Sequence, residues 1–230
     1  MASLLAPSFG RPQSSPPRLA ARSSAVALAS TAPASTGWLT DAERTRFELI
    51  ASAPRRRDWL RSRLAGKRAV ASLLDVHDLR RIELRTRPGE APQVYVRGED
   101  GAHDAAPISL SLSHCEGNGA AAAVFRPRGV GVDLERLDVV HPAHERYFLT
   151  ATERASRAGR ASTELWALKE AAWKALCCAD GVVFSALELR FRGGVLRAVA
   201  LHGREHRAAA TLSQPWPGFV LAVVILGGAE

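Results

Sequence analysis

Asp133 and Glu135 stand two residues apart in the run Gly131-Val-Asp-Leu-Glu135. On a strand, side chains two apart share a face, about 7 Å apart, while Val132 and Leu134 turn to the core. Two carboxylates side by side repel unless a cation sits between them. No Cys or His stands at ligand spacing, so hard oxygen donors favour Mg²⁺ or Mn²⁺ over zinc. An edge strand with two solvated acids fits the same pattern. Glu170 and Lys174 are four apart in Trp166-Ala-Leu-Lys-Glu-Ala-Ala-Trp-Lys174, which puts them on one helix face. They form either an ion pair on a solvated edge or a carboxylate and an ammonium presented together to a ligand. Arg63 and Lys67 repeat the spacing with like charges. Such a pair either splays into water or grips a dianionic phosphate. His114 ends the alternating run Ile108-Ser-Leu-Ser-Leu-Ser-His114, at a strand exit where loop chemistry is usual, although a histidine there can also be an ordinary polar end.

These residues need elements to hold them. The 166–174 stretch has no glycine or proline and is built mostly of good helix formers. Leu165, Leu168, Ala172 and Leu176 form its apolar stripe, broadened by Trp166 and Trp173, with Thr163 as the expected cap. Thr40-Asp-Ala-Glu43 and Thr150-Ala-Thr-Glu153 are capping boxes that each open a helix. Pro54 starts another helix, whose apolar face is Trp59, Leu60, Leu64, Ala71 and Leu74. Strands are expected at 25–32, 82–84, 94–96, 108–114, 119–125, 130–135, 187–191, 195–201, 207–212 and 219–226, with a loop over 98–107. Arg126-Pro-Arg-Gly129 reads as a hairpin turn between its neighbours. The element types predict an α+β fold with helices and a small antiparallel sheet in each half.

Composition narrows the partners. Hydrophobic residues make up 47% and charged residues 23%, as in an ordinary globular protein. No apolar run approaches the ~18 residues of a spanning helix, so a soluble protein without a membrane partner is expected. Three cysteines, an odd number, make no disulfide framework and suggest a reducing, cytoplasmic setting. The net charge of +8 calls for an anionic partner. Between Arg55 and Arg87 there are eleven Arg or Lys against four Asp or Glu, yet the only aromatic before residue 87 on that helix is Trp59. A base-stacking platform is poorly supported, and phosphate binding fits better. Residues 1–22 hold three arginines and no acid. They read as a disordered basic tail, with a transit peptide as the alternative.

Three stretches taken in order, Ser111-Leu-Ser-His114, Gly131-Val-Asp-Leu-Glu135 and Trp166 to Lys174, resemble the signature of 4′-phosphopantetheinyl transferases. The resemblance is to the larger, pseudo-dimeric subfamily that activates polyketide and nonribosomal peptide synthases. It implies two similar halves, 23–118 and 119–230, with the active site in the cleft between them, in a monomer. It implies transfer of 4′-phosphopantetheine from coenzyme A to a serine of an apo acyl or peptidyl carrier protein, leaving holo carrier protein and 3′,5′-ADP. Asp133, Glu135 and Glu170 would hold Mg²⁺ (or Mn²⁺). Glu170 would be the general base, and Lys174 would neutralise the leaving nucleotide. His114 with Ser113 would bind the 3′-phosphate, helped by Arg63 and Lys67. The sequence departs from the family at Gly89-Glu-Ala-Pro92, which lacks the usual cation, and at Leu176-Cys-Cys178, where glycine is common. A Mg²⁺-dependent phosphohydrolase using the same carboxylates, and a basic nucleic-acid-binding protein, are the other readings. The sparse aromatics count against the last.

Overall fold

The computed structural model describes residues 23–30, 35–157, 159–177 and 183–227. The basic segment 1–22, the expected end of the first strand at 31–32 and Cys178 lie outside the described residues. The fold is α+β. Its first half runs β1 (Ser24–Ala29), α1 (Asp41–Glu48), α2 (Ala53–Leu74), β2 (Ile82–Arg85), β3 (Gln93–Arg97), β4 (His103–Ala105), β5 (Ile108–Cys115) and β6 (Asn118–Phe125). Then come β7 (Val130–Arg136), α3 (Glu145–Phe148), α4 (Ala151–Ala155), α5 (Ser162–Ala175), β8 (Leu187–Arg192), β9 (Val195–Leu201), β10 (Arg204–Ser213) and β11 (Phe219–Leu226). β4 falls inside the segment expected to be a loop. Among the described residues no helix is long and apolar enough to cross a membrane.

The strands form sheets of order β1-β6-β5, β2-β3-β4 and β7-β11-β10-β9-β8, with every pairing antiparallel. The expected hairpin between β6 and β7 does not form. The sequence reading also assigns β6 to the C-terminal half, whereas it fills the middle of the first sheet, with Ala121 opposite both Ala27 and Leu112. β7 pairs instead with β11, Asp133 facing Ala222. The reason is burial. β6 is alanine-rich and covered on both faces: Ala121 and Ala123 meet α2's core, while Ala120, Ala122 and Val124 meet Val130, Val132 and Leu134 of β7. A hairpin arm would leave one of these faces in water.

Each half is a helix laid over a sheet. Leu64, Val70 and Leu73 of α2 pack on Ile82, Leu84 and Ile108. Leu168 and Ala172 of α5 pack on Leu189, Leu196, Val199 and Val224. Each such leucine or valine contributes about 1.5–3 kcal/mol when fully buried.

The halves also share one polar device. The Thr40 side chain caps α1, and Glu43 returns its Oε2 to the Thr40 amide at 3.0 Å, accepts the Leu84 amide on Oε1 at 3.1 Å, and pairs with Lys67 of α2 at 2.5 Å. In the second half Thr150 caps α4. Glu153 accepts the Thr150 amide at 2.7 Å and the Leu189 amide at 2.8 Å, and pairs with Lys169 of α5 at 2.7 Å. The same residue types recur in the same order, which relates the halves more directly than any sequence repeat. α5 itself starts one residue before the expected cap, at Ser162. Ala161 is the N-cap, its amide held by Glu164 at 2.9 Å, and the Thr163 hydroxyl accepts the Val140 amide at 3.2 Å.

Candidate active site

Gly131 decides how close α5 comes to β7. A Cβ at this position would lie 1.7 Å from the Ala171 carbonyl oxygen and 2.7 Å from the Ala175 nitrogen. Only a bare backbone permits that approach. It lets Lys174 reach Asp133, donating to Oδ1 at 2.6 Å while its ammonium stands 3.4 Å from Glu170 Oε2. Glu170 and Lys174 thus do form the i,i+4 ion pair, partly buried, and Lys174 extends it to Asp133.

Asp133 is buried. Its Oδ1 also accepts the Ser113 hydroxyl at 3.1 Å, and its Oδ2 is buried with no hydrogen-bond partner. Ser113 Oγ in turn accepts the Leu134 amide at 3.2 Å, and Ser111 Oγ accepts the Val132 amide at 3.0 Å. The serine face of β5 therefore fastens β5 to β7, joining the two halves through side chains. Glu135, on the face of Asp133, accepts the Trp166 indole N–H at 3.3 Å.

Charge is crowded here. Burial, then the Asp133 charge, raises the Glu135 carboxyl to about 7. Burial raises Glu170 as well; Lys174 pulls it down and Asp133 pushes it up. Burial alone would lower Lys174, but Asp133 and Glu170 outweigh it, and the ammonium is held above its usual range.

Beside this cluster a cavity of about 460 Å³ opens between the halves. Arg63, Thr86 and His114 line it from the first half, and Trp173, Lys174 and Cys177 from the second. His114 is half exposed there, with Nδ1 3.9 Å from Asp58 Oδ2. Arg63 donates to the Leu84 carbonyl at 2.8 Å and to Thr86 Oγ1 at 2.6 Å, and lies over the Trp59 ring at 5.0 Å. Burial lowers its guanidinium to about 10, so a buried cation without a carboxylate hydrogen bond faces the cleft.

Two expected ligands do not line the cleft. Lys67 is fully buried against Glu43 and donates to the Trp38 and Leu79 carbonyls at 3.0 and 3.1 Å; it does not share a phosphate with Arg63. Ser113 is committed to Asp133 and β7. Trp59, Thr86 and Trp173 line the cleft without having been marked from the sequence. The first and last read there only as parts of apolar stripes. Cys177, two residues past the end of α5, takes a left-handed conformation with φ 51°, the geometry glycine usually supplies.

The three expected metal ligands do not close into one shell. Among the described residues no three His, Cys, Asp or Glu side chains are placed to hold a metal ion, and the Lys174 ammonium contacts both Asp133 and Glu170. The donor chemistry of Asp133 and Glu135 nevertheless fits a hard divalent cation. The orphaned Asp133 Oδ2 and the strained Glu135 charge are both relieved by one. Magnesium commonly takes only one or two carboxylates, with substrate phosphate and water completing the shell.

Residues 129–224 match the model of the 4′-phosphopantetheinyl transferase superfamily. No curated protein matches the sequence. Among solved structures, the holo-[acyl-carrier-protein] synthase of Thermotoga maritima is similar, at 24% identity over 44% of this chain and 64% of that chain, with a TM-score of 0.36. The chain thus spans less than two thirds of that relative's length. Both motifs lie inside the matched segment: the stretch that carries Asp133, Glu135, Glu170 and Lys174 is the part of the chain that is similar to the 4′-phosphopantetheinyl transferase superfamily.

Proposed function

We propose that this protein transfers 4′-phosphopantetheine from coenzyme A to a serine of an acyl or peptidyl carrier protein. The observation that carries the reading is the cleft. It sets Arg63 and His114 of one half against Lys174 of the other, with Lys174 bonded to the paired acids. The two halves, meeting at the Arg126–Gly129 connection, act as one site.

Coenzyme A lies in the cleft with its nucleotide phosphates toward Arg63 and His114, which offer charge and N–H donors. Asp133 and Glu135 would hold Mg²⁺, which supplies positive charge to the pyrophosphate. Lys174 stands where negative charge builds on the departing 3′,5′-ADP and offsets it. Glu170, made more basic by burial, takes the proton of the attacking serine. The serine oxygen–phosphorus bond forms as the bond from phosphorus to the leaving phosphate oxygen breaks. Ser113 does not touch substrate; its hydroxyl orients Asp133.

The test is intact-mass spectrometry of apo carrier proteins incubated with coenzyme A, Mg²⁺ and this chain. The wild type adds one phosphopantetheine, and Glu170→Gln and Asp133→Ala slow the addition by about 10²-fold or more. Consumption of coenzyme A without modification of any carrier protein would favour a phosphohydrolase and overturn the transferase reading.

A further inference from the structure

A second basic hollow lies away from the cleft. Arg128, Arg192, Arg197 and Arg207 line a cavity of about 800 Å³ floored by Ala209, Ile225 and Gly227. It shares no lining residue with the cleft. It also opens on the other face of the sheet. Ile225 lies opposite Val130 across the β7–β11 pair, and on a strand Val130 and Asp133 point to opposite faces.

Among the described residues no carboxylate lines this hollow. Arg190 of the same sheet is neutralised by Glu188 and Glu205, and among the described residues neither Arg192 nor Arg197 has an ion-pair partner. Arg128 is held in place by the Ser23 carbonyl. Gly227, whose amide donates to the Arg207 carbonyl at 2.8 Å, closes the floor. Arg192 of β8 and Arg197 of β9 stand on paired strands rather than on a loop free to splay, and an anion between them offsets their repulsion. The guanidinium fork matches phosphate oxygens in pairs. From this geometry we infer a second anion site for a short polyphosphate chain. Its size suits several linked phosphates, and its place on the opposite face separates it from the acids at Asp133.

The test uses the full chain and inorganic tripolyphosphate at physiological salt, read by ¹H–¹⁵N chemical shifts. The Ala209 and Gly227 amides shift and saturate in the wild type. In R192E/R197E, with an unchanged melting temperature, these shifts weaken by at least about tenfold. Shifts confined to residues around His114, or equal shifts in the double variant, overturn the site. A DNA duplex of about 20 base pairs that moves the same amides at lower phosphate concentration overturns the small-anion reading in favour of a nucleic-acid backbone. Carrier-protein modification plays no part in this readout, and R192E/R197E retains whatever transfer activity the wild type has.

Discussion

Glu135 is an acid that the fold makes reluctant to ionise. Burial and the charge of Asp133 raise it to about 7 from an ordinary 4.5. The folded protein therefore binds a proton at pH values where the unfolded chain has lost it. Stability from this residue is fully present below about 4.5 and is lost as pH rises through about 7. Glu170, also raised, acts with the same sign. Metal-free wild type should thus lose melting temperature between pH 5 and 8 relative to Glu135→Gln. The difference should correspond to an uptake of up to about one proton on folding, and added Mg²⁺ should shrink it. A flat difference between the two proteins would show that Glu135 is ionised throughout.

At the scale of elements, the closeness of α5 and β7 sets the site. Gly131→Ala places a methyl against the Ala171 carbonyl and should cost about 1–3 kcal/mol in urea unfolding. Transfer activity should fall further than the lost stability explains, because the displaced helix takes Glu170 and Lys174 away from Asp133. The glycine was visible in the sequence, but its contact was not, since a sequence shows spacing within an element and not the distance between two of them. The same limit explains Lys67. Its spacing to Arg63 was read correctly as helical, yet Glu43, which claims it, comes from another helix 24 positions earlier. The capping boxes, the alternation of β5 and the run of α5 were legible because each is local. The course of β6 was not, because its hairpin-like neighbours concealed that both of its faces are buried.

Across the whole molecule, stability is built twice and chemistry once. Lys67–Glu43 and Lys169–Glu153 are fully buried in matching places. Counted from those lysines, however, Glu170 and Lys174 of α5 correspond to Arg68 and Ser72 of α2, and β1 carries no acid at all. Removing one partner of a buried pair strands the other charge. Lys67→Met and Lys169→Met should each lose about 3–5 kcal/mol in denaturant unfolding. Where Lys67→Met remains folded, its KM for coenzyme A should match that of the wild type, a result that a phosphate ligand at this position would not give.

The oxygen of Ser113 serves two masters: it receives the Leu134 amide and turns toward Asp133. One atom thereby records whether the halves have docked and fixes the carboxylate that docking completes. Halves drawn apart would leave Oδ1 of Asp133 to Lys174 alone, without the hydroxyl from the other half that bonds it here.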